Sequence, residues 1–99
     1  MPAIELEVRR PDGLHARPAV VVVRTAAESD ATVLVSRVDG GDGAPADARS
    51  IIAILALGIR TGDRVRVEAE GPDAGRVLDA IAAFLEDASP AGGGTDPVR

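Results

Sequence analysis

Apolar and charged residues alternate at the start of the chain. Ile4, Leu6 and Val8 are separated by Glu5 and Glu7, the pattern of a strand buried on one face. Pro11, Asp12 and Gly13 then form a turn cluster within residues 9–14. The segment from Ala16 to about Glu28 is predicted to be a helix, although Val20 to Val23 place four β-branched residues in a row. Such a run lowers helix propensity, so propensity alone leaves helix and strand both open. Val33, Leu34 and Val35 form a second strand, and Gly40, Gly41, Gly43 and Pro45 mark an open loop across residues 39–46. Ser50 is placed to cap a short apolar helix that Gly58 ends in the left-handed conformation. Alternation returns over Val65 to Ala69. After Gly71-Pro72-Asp73, the residues Val77, Leu78, Ile81, Phe84 and Leu85 recur at helical spacing.

This order is strand, helix, strand, strand-like loop, helix, strand, helix. It describes an α+β layer in which helices cover one face of an antiparallel sheet and water wets the other. At 99 residues the chain is expected to hold one domain, over residues 1–87. Residues 88–99, rich in Gly, Pro and Ser, are expected to be a disordered tail. No internal repeat is visible.

Composition removes several classes of function. Cysteine is absent, which excludes disulfides, thiolate nucleophiles and sulfur-bound metals. One histidine rules out a multi-histidine metal site within the chain, and no metal or cofactor is expected. A net charge of −5 and a single aromatic residue, Phe84, argue against nucleic-acid binding, which wants a basic surface or stacking platforms. The start of the chain is acidic and alternating rather than a basic signal leader. The longest apolar block, Ile51 to Leu57, falls far short of the roughly 20 residues that span a bilayer. A cytoplasmic protein with no membrane insertion is the expectation.

The chemistry concentrates in Gly13-Leu14-His15-Ala16-Arg17-Pro18-Ala19. Proline is tolerated in a first helical turn, so the segment reads as a loop that becomes a helix at the histidine. At a helix start His15 would lie beside free backbone N–H groups, those of Ala16 and Arg17, and the positive end of the helix dipole. A nucleophilic imidazole there could accept a phosphoryl group, with Arg17 presenting a planar fork to its oxygens. Asp12 could help to position the ring, although an Asp in a turn usually caps backbone. Taken alone, a single histidine by a loop also reads as a side chain that simply faces solvent.

Three motifs in register favour the first reading. Gly-Leu-His-Ala-Arg-Pro-Ala at 13–19, Asp47-Ala48-Arg49-Ser50-Ile51-Ile52, and Leu57-Gly58-Ile59-Arg60-Thr61-Gly62-Asp63 together resemble the signatures of the HPr family. These are the small histidine phosphocarriers of the bacterial phosphotransferase system. Ala69-Glu70-Gly71 resembles the end of the family's last strand, and the similarity covers about residues 3 to 87. The resemblance implies an open-faced β-sandwich of βαββαβα order, a four-stranded antiparallel sheet with three helices on one face. The loop between Val38 and Asp47 is longer and richer in glycine than the family pattern, which leaves the third strand in doubt.

The resemblance also implies function. His15 would be phosphorylated on Nδ1 by phosphorylated enzyme I and discharged to sugar-specific IIA proteins, so the protein is a carrier rather than an enzyme. The apolar helix would present Ile51, Ile52 and Leu55, with Leu14, as a docking patch for these partners. Ser50 matches a serine that a dedicated kinase/phosphorylase modifies in many relatives, and some relatives contact a transcription factor. The carrier is expected to act as a monomer. Two alternatives carry different partners: a nitrogen-regulatory or dihydroxyacetone-kinase branch with the same chemistry, and a purely regulatory binding module. The last lacks the active histidine, which this chain has.

Overall fold

The computed structural model describes residues 2–15, 17–38 and 44–88. Strand β1 is Ala3–Glu7, helix α1 Arg17–Ala27, β2 Thr32–Arg37, β3 Ala46–Asp47, α2 Ile51–Ala56, β4 Arg64–Glu70 and α3 Ala74–Leu85. The strands form one sheet in the order β1-β4-β2-β3, with every neighbouring pair antiparallel. The chain is therefore the α+β layer that its pattern suggests and the βαββαβα open-faced sandwich that the resemblance implies.

Period-two alternation builds the sheet. Leu6 stands opposite Val65, and Val67 lies between Ile4 and Val35 in register, so one face is aliphatic throughout. Leu6, Val33, Val35, Val65, Val67 and Ala69 on that face are all buried. The opposite face carries charge: Arg66 pairs with Glu68 at 2.8 Å and reaches Glu5 on the neighbouring strand at 3.5 Å. Such exposed, solvent-screened pairs add little to stability, so the sheet is held by its aliphatic face.

Three helices close that face. Ala19, Val22 and Ala26 of α1, Ile54 of α2, and Val77, Leu78, Ile81 and Leu85 of α3 pack in the same core. The spacing of Ala19, Val22 and Ala26 explains why the valine run is helical. Burial on one stripe, with small alanines at its ends, outweighs the local preference of Val20 to Val23 for strand. Val20 and Val21 remain exposed as a result.

The third strand exists but is two residues long, pairing Leu34 with Asp47 and Val35 with Ala46. The Ala48 N–H to the Val33 carbonyl, 2.9 Å, extends the connection by one bond. Residues 39–43 of the glycine-rich loop and 89–99 of the expected tail lie outside the described residues. Among the described residues no helix is long and apolar enough to cross a membrane.

Candidate functional site

The loop that ends at His15 is held by backbone. Residues 10–13 form a turn closed by the Gly13 N–H to the Arg10 carbonyl, 3.0 Å. Gly13 has φ +60, and a Cβ there would lie 2.7 Å from the Ile59 carbonyl oxygen and 2.8 Å from the Arg60 Cα. Only glycine allows the turn to lie flat on the α2–β4 connection. Leu14 then donates its N–H to the Ile59 carbonyl at 3.1 Å, and the Thr61 hydroxyl donates to the carbonyls of Arg10 and Pro11.

Leu14 and His15 part company at the end of this loop, one buried and one exposed. Leu14 is 1% exposed and belongs to the core, which corrects the expectation that it forms part of a docking patch. Its neighbour His15, at the bend that follows the turn, is exposed. Burial of Leu14 supplies about 1.5–3 kcal/mol of anchoring. His15 follows as an exposed side chain, and Arg17, exposed as well, opens α1. Ala16, expected to offer a phosphate-binding N–H, lies outside the described residues. The imidazole is thus displayed at the surface on a stiff support.

The connection beneath the loop is stiff for its own reasons. One Asp63 carboxylate oxygen accepts the Arg60 N–H at 2.8 Å and an Arg37 N–H at 2.9 Å. Arg37 also donates to the carbonyls of Leu57 and Gly58, which end α2. The Arg60 N–H above all, and then Arg37, hold the Asp63 carboxyl below its ordinary pKa, with desolvation opposing them.

Ser50 caps α2 as expected. Its Oγ accepts the Ala53 N–H at 3.1 Å, and its carbonyl accepts the Ile54 N–H at 3.0 Å. Of the apolar block, Ile54 is fully buried, whereas Ile52 is 73% and Leu55 37% exposed. Ile51 is half-buried against the core and contributes only part of its surface. Val20 and Val21 of α1, which packs against α2, are exposed as well. The valine run could have signalled this, since a helix on a sheet buries one stripe. Helix α1 carries Arg17 and Arg24 and no acidic residue, and Arg49 and Arg60 flank α2.

A shallow cleft of about 370 Å³ lies elsewhere, at the β1 edge, lined by Glu5, Leu6, Glu7, Arg9, Arg64 and Glu86. It contains none of the predicted site residues. Among the described residues no cluster of His, Asp and Glu is placed to hold a metal ion. His15 and Arg17 lie on an open surface.

Comparison with known proteins identifies the family. The family model PTS-HPr, described as the PTS HPr component phosphorylation site, matches residues 3–87. A multiphosphoryl transfer protein of Salmonella typhimurium is 42% identical over 85 residues, covering 82% of this chain. The chain spans only 22% of that relative's length. A phosphocarrier protein HPr of Haloferax volcanii is 46% identical over 74 residues, covering 75% of this chain and 81% of the relative. The crystal structure of a phosphocarrier protein HPr from Bacillus anthracis superposes with a TM-score of 0.77 at 33% identity. It covers 85% of this chain and 95% of that one.

Proposed function

The chain belongs to the HPr family of phosphotransferase-system phosphocarriers, and we propose that it carries a phosphoryl group on His15, taken from phosphorylated enzyme I and passed to IIA proteins. The observation that carries this reading is an exposed imidazole held by a backbone-braced loop at the start of α1, with an exposed arginine two residues on. The matched family model, over residues 3–87, is described as a phosphorylation site, which supports this reading.

The step balances without a base. The Nδ1 lone pair of a neutral imidazole attacks phosphorus, forming the N–P bond while the bond from phosphorus to the donor breaks and its electrons leave with the donor. Nε2 keeps its hydrogen, so no proton must be removed first. Transfer to the acceptor runs the same exchange in reverse. Because little covalent chemistry falls to the protein, in-line positioning and charge around the phosphoryl oxygens decide the rate. Arg17 supplies that charge. The partner brings the rest of the site.

Docking is assigned to Ile52, Leu55 and the exposed part of Ile51, extended by Val20 and Val21. A partner that fits offers apolar pockets within an acidic rim, since Arg17, Arg24, Arg49 and Arg60 border these residues in sequence. A phosphoryl group on Ser50 would add about −1.5 to −2 charges beside this surface and oppose such a partner. Ser50→Asp should keep α2 capped yet slow labelling of His15; labelling at the wild-type rate leaves Ser50 a structural cap. A cytoplasmic location follows from partners of this kind.

The test is reconstitution of the relay. Purified enzyme I and phosphoenolpyruvate should load the chain with one acid-labile phosphoryl group, and a IIA protein should discharge it. A chain that loads but never discharges to any IIA protein would move it to a different branch of phosphoryl transfer.

A further inference from the structure

Arg10 is out of place for a charged residue. It is 8% exposed, and among the described residues only it and Ser29 are buried polar or charged side chains. Its guanidinium carbon lies 4.0 Å from the centroid of the Phe84 ring, the chain having no Tyr or Trp. Nη1 donates to the Phe84 carbonyl at 3.3 Å and stands 4.0 Å from the Asp87 carboxylate. Nε is buried with no hydrogen-bond partner. The neighbouring Arg9 N–H donates to the Leu85 carbonyl at 2.8 Å. Arg10 thus grips the last turn of α3, where the negative end of the helix dipole favours a cation.

The same residue begins the acceptor turn. Its carbonyl accepts both the Gly13 N–H and the Thr61 hydroxyl. The other hydrogen bonds that brace the turn from outside come from residues 59–61, on one side. Arg10 ties it to α3, on the other.

Stability alone is a poor reason for this arginine. A buried N–H without a partner is a cost that an apolar side chain of similar length would not carry. We propose that Arg10 is a positioning residue: clamped on Phe84 and the end of α3, it fixes the 10–13 turn and thereby the angle at which His15 meets a phosphoryl donor. The inference rests on His15 being the acceptor.

Arg10→Met removes the guanidinium and keeps the stem. Steady-state labelling by enzyme I and phosphoenolpyruvate, at varied carrier concentration, should show kcat lowered about tenfold and KM within about twofold of wild type, as expected for a reacting group slightly misplaced. The melting temperature should stay within about 3 °C. Arg10→Lys, which keeps the charge but not the planar stack, should recover part of the rate, and Phe84→Leu should lower it. Amide signals of Gly13 and His15 should shift in the methionine variant. Wild-type kcat in Arg10→Met, or a loss confined to KM, overturns the proposal. If Arg10→Met does not fold, the same kcat-against-KM comparison on Arg10→Lys decides it. Failure of the underlying reading is distinct, because then the wild-type chain itself takes no label.

Discussion

Gly13→Ala tests whether the acceptor loop is braced by backbone contact, and Gly58→Ala is its internal control. Both glycines have positive φ, +60 and +64, so both substitutions force an L residue into the left-handed region. That conformational term costs about 1–2 kcal/mol. The surroundings differ. Nothing lies within 4 Å of a Cβ at Gly58, whereas a Cβ at Gly13 meets Ile59 backbone at 2.7 Å and Arg60 backbone at 2.8 Å. Backbone cannot rotate away, and overpacking of this kind adds roughly 1–3 kcal/mol. Gly13→Ala should therefore destabilise by roughly 2–5 kcal/mol and Gly58→Ala by about 1–2 kcal/mol. At about 4–8 °C per kcal/mol for a domain of this size, the two melting temperatures separate clearly. The chain has no Trp or Tyr, so urea and thermal unfolding are best followed by far-ultraviolet circular dichroism. The methyl at Gly13 should also lift Leu14 off Ile59 and slow His15 labelling more than the stability loss alone explains. Equal destabilisation by the two substitutions would refute the reasoning, because it would mean that the loop yields freely at Ile59.

Arg17→Ala should leave the melting temperature within about 2 °C of wild type, because the side chain is exposed, while slowing transfer to a IIA protein; an unchanged rate makes it a solvated charge only. Ile52→Glu, at a position 73% exposed, should preserve the fold and weaken enzyme I binding at least tenfold, whereas Leu14→Ala should cost about 2–5 kcal/mol of stability. Calorimetric binding and urea titration separate these outcomes, and an Ile52→Glu variant that binds normally removes α2 from the interface. Asp63 has a lowered folded-state pKa, so its contribution is full above the unfolded value of about 3.9 and is lost as pH falls through the lower folded one. The stability gap between wild type and Asp63→Asn should be constant from pH 7 to about 5 and shrink below about 4; a constant gap down to pH 2 would contradict this.

Much of the fold was legible because its signals are local. Alternation at Ile4–Val8 and Val65–Ala69, the Ser50 cap and the left-handed Gly58 each follow from a few adjacent residues. The passage from loop to helix that displays His15 and Arg17 was legible for the same reason. What was missed depends on partners distant in sequence. Leu14 looks like a neighbour of the chemistry, but its burial is decided by Gly13 lying on Ile59. Arg10 reads as an ordinary turn charge, and its ring partner lies 74 positions away. The short β3 is set by where Leu34 and Val35 expose their edge, which a glycine-rich loop does not announce.

The most direct test of the central claim is intact mass after incubation with enzyme I and phosphoenolpyruvate, on wild type and His15→Ala side by side. The expected result is one added phosphoryl group on wild type, lost in acid, and none on a folded His15→Ala variant. Labelling of His15→Ala, or none on either chain with active enzyme I, would contradict the assignment of His15 as the acceptor.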